Sequence, residues 1–157
     1  MVKMTTLCYL RQGNEYLMLH RTKKQVDENA GKWIGIGGHF EFGESPEECM
    51  KREVSEETGL EVNSWQYRGI VTFVSDNFGC EYMHLFMADG WEGSQKDCDE
   101  GVLEWIDKER LSTLNMWQGD RLFLDLLFKD TPFFSLKLVY KGETLTTAFL
   151  DGKRLEI

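Results

Sequence analysis

Four glycines stand in nine residues from Gly35 to Gly43, and the run leads straight into Ser45-Pro46. Ser45 suits a helix N-cap and Pro46 the first helical position, and Glu48 completes an S-x-x-E capping box. Gly59 stands where a helix would stop. The punctuation predicts a helix over 46–58, entered from a loop that Gly35, Gly37, Gly38 and Gly43 keep out of any regular element. Any fold for this chain must hold a loop, a capped helix and a second loop as one unit.

The same segment carries most of the charge asymmetry. The 157 residues hold 27 Asp+Glu against 18 Lys+Arg, a formal charge of −9. Residues 41–57 contain seven acids (Glu41, Glu44, Glu47, Glu48, Glu53, Glu56, Glu57) and two bases (Lys51, Arg52), a net of −5. A solvated helix face is the ordinary reading of such a run. The acidic balance argues against a nucleic-acid polymer as partner, since phosphate backbones select basic faces. No stretch of about 18 apolar residues suggests a membrane span. The amino terminus has no signal-peptide core. Cys8, Cys49, Cys80 and Cys98 form no C-x-x-C pair, so reduced thiols and a cytoplasmic protein are expected.

Flanking patterns are strand-rich. Residues 3–11 and 15–21 read as a hairpin about Gln12-Gly13-Asn14, and 22–32 as a polar loop. Strands are expected at 67–76, 80–88 and 102–106, with a polar loop at 92–101. A second helix is expected at 119–129, where Leu122, Phe123, Leu126 and Leu127 share a side. The end reads as a hairpin, 133–140 and 144–150. The length suits one domain, residues 1–157. The fold class is α+β, a mixed sheet flanked by at least two helices.

At 100° per residue, Glu53, Glu56 and Glu57 fall on one helical stripe. Acids at i, i+3 and i+4 repel each other in an isolated helix. Hard oxygen ligands gathered in this way suit Mg²⁺ or Mn²⁺, whose charge would relieve the repulsion. A preceding loop could fold Glu44 toward the same stripe, and Arg52 is near enough to orient one carboxylate.

The full spacing is Gly38, five residues, Glu44, seven residues, then Arg52-Glu53-Val54-Ser55-Glu56-Glu57-Thr58-Gly59-Leu60. It resembles the Nudix box of the Nudix hydrolase superfamily at every fixed position. Chance agreement is about one in 10⁹ per starting position at ordinary residue usage. The resemblance implies a Nudix-type α/β/α sandwich with a loop–helix–loop catalytic motif that binds divalent metal, here Mg²⁺ with Mn²⁺ as a substitute. It implies Glu53, Glu56 and Glu57 as metal ligands, with the Gly37 carbonyl as a further one. Glu44 and Arg52 would support them. Hydrolysis of a phosphoanhydride also needs a general base to activate water. Glu53 is one candidate. Glu100, from the acidic loop Asp97-Cys98-Asp99-Glu100, is the other, and it could also reach the metal.

Beyond the box, the chain resembles MutT-type oxidised-nucleotide pyrophosphatases. The run GKWIGIGGHFEFGE is similar to their glycine-rich segment, and Met116-Trp117-Gln118-Gly119-Asp120 to their base-recognition segment. A Trp can stack on a purine and a carboxyl can bond its edge. Trp117 can equally be core and Asp120 a helix cap. Substrate contacts are also expected of Ile34, Gly38 and His39, and of Arg21 and Lys23 toward the phosphates; Lys24 is a further basic residue there. Some relatives have two adjacent acids where this chain has Gly119-Asp120. Some have Asn at the place of Ile34, and many have Lys at the place of His39. The Pro of ADP-ribose hydrolases and the Tyr of dinucleoside-polyphosphate hydrolases are missing after the box, and Asn77 stands at the Tyr position.

The resemblance therefore implies a Mg²⁺-dependent pyrophosphohydrolase of oxidised purine dNTPs such as 8-oxo-dGTP, acting in nucleotide-pool sanitation and DNA repair. Another nucleotide, or dNTPs in general, is the second reading. A non-catalytic binding module is the third, although such modules usually lose the box carboxylates. The expected partner is a small nucleotide, not a membrane, with the chain a monomer or weak homodimer.

Overall fold

The strand β1 (Val2–Gln12) alternates Leu7 and Tyr9 with Cys8 and Leu10, and both sets are buried. A strand apolar on both faces needs cover on both sides. The computed structural model, which describes residues 2–22 and 29–157, supplies that cover with one helix on each face.

The strands in chain order are β2 (Glu15–His20), β3 (Trp33–Ile34), β4 (Ile36–His39), β5 (Glu61–Ser75), β6 (Gly79–Glu92), β7 (Val102–Asp107), β8 (Phe134–Lys141), β9 (Thr144–Leu150) and β10 (Lys153–Leu155). The helices are α1 (Pro46–Thr58) and α2 (Gln118–Phe128), and a 3₁₀ turn covers Lys108–Thr113. The main sheet runs β10-β9-β8-β5-β6-β1, with β4 on the free side of β1. β1 is parallel to β6 and β5 to β8, and the other pairings are antiparallel. β2 leaves β1 through the hairpin and pairs with β3 and β7. The mixed sheet and two helices are the expected α+β sandwich.

Two cores follow from the alternation. Leu7, Tyr9, Leu85 and Met87 face α2 and pack with Phe123, Leu124 and Leu127. Cys8, Leu10, Phe86 and Ala88 face α1 and pack with Met50 and Val54. The capping box forms as read, with Ser45 Oγ accepting from the Glu48 N–H and Glu48 Oε1 accepting from the Ser45 N–H. Gly59 ends α1 in the left-handed conformation, φ 79°.

Several boundaries differ from the sequence reading. The glycine run was expected to break regular structure, yet Ile36–His39 is the strand β4, paired with β1. A Cβ on Gly37 would lie 1.8 Å from the Thr6 carbonyl oxygen, so this glycine admits a close strand approach. β5 begins at Glu61 rather than at 67, because bulges near Val62, Ser64 and Tyr67 interrupt its alternation. β6 likewise runs past 88 to Glu92. β10 was not expected, although Asp151-Gly152, both at positive φ, make the two-residue turn typical of a hairpin. No helix among the described residues is long and apolar enough to cross a membrane.

Candidate active site

The pairing of β4 with β1 brings the glycine run against α1. A Cβ on Gly38 would fall 2.5 Å from the Glu53 carboxylate, so the helix carboxylates press onto bare backbone. The Gly37 N–H donates to Glu57 Oε2 at 3.1 Å. Gly37 thus contacts the acid stripe through its amide.

Arg52 ties the loop to the helix. Its Nε donates to Glu44 Oε2 at 2.7 Å and its Nη2 to Glu44 Oε1 at 2.9 Å. Nη1 donates to Glu53 Oε1 at 2.9 Å and to Glu56 Oε2 at 3.2 Å. Nη2 also donates to the His39 carbonyl at 3.0 Å. Glu44 Oε1 accepts from the Glu41 N–H at 2.8 Å, which closes the loop over the helix start. The hydrogen bonds from Arg52 hold the Glu44 carboxyl below the usual carboxylate range.

Glu53 and Glu57 feel burial. Glu57 is 8% exposed. Its pKa is pushed far up, first by burial and then by Glu100, whose carboxyl is close enough to share a proton with it. Burial also raises Glu53, against the pull of Arg52. Glu100 accepts from Arg21 Nη1 at 3.1 Å. Among the described residues no three His, Cys, Asp or Glu side chains form a ready-made metal cage. Arg52 draws Glu53 and Glu56 to itself, while Glu57 turns to Gly37 and Glu100. The donor set nevertheless fits a divalent cation: hard carboxylate oxygens crowd one another, and a buried like-charged pair needs a positive charge or a proton. Glu53, Glu56, Glu57 and Glu100 would hold such an ion.

One cavity of about 440 Å³ runs from these acids to the face of α2. Arg52, Glu53, Glu100, Gly37, Gly38, His39 and Arg21 line it together with Ile34, Trp117 and Asp120. Glu44, Glu56 and Glu57 do not line it but bond to Arg52 or Gly37, which do, and Lys23, with Lys24, lies outside the described residues. Arg21 was expected to meet phosphate, and here its guanidinium engages Glu100.

Trp117 proves to be both core and cavity wall. It is 5% exposed, its Nε1 donates to Asn29 Oδ1 at 2.8 Å, and Lys32 Nζ lies 4.6 Å from its ring centroid. Phe73 and Tyr140 meet its ring edge-on. The helix-cap reading of Asp120 does not hold: Trp117 is the N-cap of α2, and Asp120 sits within the first turn. Burial and then the charge of Glu81 push the Asp120 carboxyl up to about 8.

The proton on Asp120 has a consequence for stability. The folded chain holds it more tightly than the unfolded chain, whose Asp titrates near 4. The stability linked to Asp120 is therefore complete below about pH 4 and is lost as pH rises toward about 8. Asp120→Asn should remove this slope. Its Tm, measured by thermal unfolding from pH 5 to pH 8, should gain on the wild type by about 2–4 °C per kcal/mol recovered. Parallel curves would show that Asp120 keeps no raised proton affinity.

Sequence reasoning passed over Thr5, Asn29, Phe73, Glu81 and Met83, all of which line the cavity. The signal for Glu81 was present: it heads the stripe Glu81-x-Met83-x-Leu85-x-Met87, an acid where alternation asks for an apolar residue.

An α/β/α sandwich whose glycine loop seats a capped helix of paired acids is the framework of a Nudix hydrolase. Residues 1–127 match the NUDIX domain model, and the chain belongs to that family. The chain is 33% identical over 134 residues to the oxidized purine nucleoside triphosphate hydrolase of Danio rerio, covering 83% of each protein. It is 32% identical over 143 residues to the Nudix hydrolase YvcI of Bacillus subtilis, covering 88% of this chain and 87% of that one. The crystal structure of the MutT protein from Bacillus halodurans superposes with a TM-score of 0.84 at 28% identity, covering 96% of this chain and 99% of that chain. The chain is thus a hydrolase of the MutT type. Enzymes of this family generally use divalent metal ions.

Proposed function

We propose that the chain is a Mg²⁺-dependent nucleoside triphosphate pyrophosphohydrolase that acts on oxidised purine dNTPs such as 8-oxo-dGTP. Mn²⁺ would substitute for Mg²⁺. The observation that carries this reading is the single cavity joining the acids of α1 to Trp117 and Asp120. Its volume falls in the range of small-ligand sites. The triphosphate would lie at the Glu53 end and the purine against Trp117. The name of the Danio rerio relative points the same way.

Water would attack the β-phosphorus in line with the bridging oxygen of the α-phosphate, giving the nucleoside monophosphate and pyrophosphate. The chain's own contributions are specific. Arg52 orients Glu53 and Glu56, the Gly37 amide fixes Glu57, and Arg21 positions Glu100. Glu53 or Glu100 would take the proton from the attacking water. A divalent ion on these carboxylates would offset charge on the non-bridging oxygens. The whole chain would act as one domain in the cytoplasm, as a monomer or weak homodimer.

The test is incubation with Mg²⁺ and a panel of normal and oxidised dNTPs, ADP-ribose and dinucleoside polyphosphates, with product quantified. The expected result is pyrophosphate release, faster from 8-oxo-dGTP than from dGTP. Equal or absent turnover of 8-oxo-dGTP would reject the oxidised-purine substrate. Orthophosphate as first product would reject attack at the β position.

A further inference from the structure

Gly119 leaves no room for a side chain at the start of α2. A Cβ there would lie 2.4 Å from Leu138 Cδ1 and 2.7 Å from the Tyr140 hydroxyl, and the Gly119 N–H donates to that hydroxyl at 2.6 Å. Asp120 is therefore the acid that α2 brings to the cavity. It is 7% exposed, and among the described residues no donor reaches its carboxyl. A carboxyl this buried and unpartnered is costly unless something binds it.

A second acid approaches from β6. Glu81 lies directly opposite Phe73 of β5, so the two side chains share the face toward α2. Phe73 meets Trp117 edge-on with ring centroids 5.5 Å apart. Glu81, Phe73, Met83, Trp117 and Asp120 all line the same cavity. Thr5, from β1, donates its hydroxyl to Glu81 Oε2 at 2.9 Å and holds the carboxylate in place. A carboxylate accepts about four hydrogen bonds, so acceptor positions remain beyond the one Thr5 fills. Glu81 and Asp120 are near enough for the charge on one to raise the proton affinity of the other.

We propose that Glu81 is a specificity-determining residue that, together with Asp120, reads the edge of the purine. Glu81 accepts from a ring N–H, and the protonated Asp120 carboxyl donates to the neighbouring carbonyl oxygen. The favoured class is a 6-oxopurine, which sets an N–H donor beside a C=O acceptor. This inference rests on the nucleotide-hydrolase reading of the same site.

The experiment compares kcat/KM for 8-oxo-dGTP and dATP in the wild type, Glu81→Gln and Glu81→Met. A ratio of two substrates within one variant is independent of how much of that variant is folded. Gln keeps the shape but places an N–H donor where the acceptor stood. The ratio should fall by about tenfold or more in Glu81→Gln, carried mainly by KM, because a hydrogen bond to a charged group is lost and a donor faces a donor. Glu81→Met should lower it as well. Glu92→Gln, at the far end of β6, should leave it unchanged.

A wild type that cleaves these nucleotides while both Glu81 variants keep the ratio within twofold would overturn the assignment and leave the function reading intact. A wild type that cleaves none of them would overturn both. A ratio that moves equally in Glu92→Gln would also reject a role particular to Glu81.

Discussion

Glu57→Gln should cost about 10³-fold in kcat/KM on the preferred nucleotide and largely abolish the rise in Tm that Mg²⁺ is expected to give the wild type. Gln retains an oxygen for the Gly37 N–H that now donates to Glu57 Oε2. The local fold should therefore survive, and the loss is one of charge. Without metal the sign reverses. The wild-type carboxyl binds a proton more tightly folded than unfolded, so its contribution to stability is complete below about pH 4 and is lost as pH rises. In EDTA at pH 8 the variant should melt above the wild type, and at pH 4 the two should converge. Thermal unfolding with and without Mg²⁺ checks all of this. Equal Mg²⁺ shifts in both proteins would remove Glu57 from the proposed ion's coordination.

Arg52→Ala should strongly destabilise the metal-free chain. One guanidinium holds Glu44, Glu53, Glu56 and the His39 carbonyl. Removing it leaves partly buried carboxylates facing each other without a counter-charge, a loss of about 2–4 kcal/mol. That corresponds to a fall in Tm of about 5–15 °C. Arg52→Lys should recover only part of it, because an ammonium cannot present the same planar fork to so many acceptors. Saturating Mg²⁺ should restore part of the loss in Arg52→Ala by supplying the missing charge. A drop under 1 °C in EDTA would mean that the carboxylates spread into solvent without Arg52, and that the network contributes little.

Helix α1 was legible almost to the residue because its instructions are local. Ser45, Pro46, Glu48 and Gly59 act on backbone groups within four residues of themselves. The spacing of Glu53, Glu56 and Glu57 needed only the helical period. β4 was misread for the opposite reason. A glycine run is locally a breaker, and only β1 lying alongside turns the missing Cβ of Gly37 into room for a strand. The early part of β5 escaped because its bulges shift the alternation that a period-two reading relies on.

The cavity lining around Trp117 shows the same division. Trp117 and Asp120 stand close together in sequence and could be read as a pair. Glu81 stands 39 residues before Asp120 and reaches the same cavity only because β5 pairs with β6 and α2 packs across that face. By itself, the sequence determined the family, the capped acidic helix and the chemistry its carboxylates suit, since those depend on residue type and short-range spacing. Which acids share a cavity, which of them Arg52 claims, and where burial raises a carboxyl's proton affinity were decided by the tertiary structure. Burial and charge coupling act through space between strands and helices that the chain order does not place together.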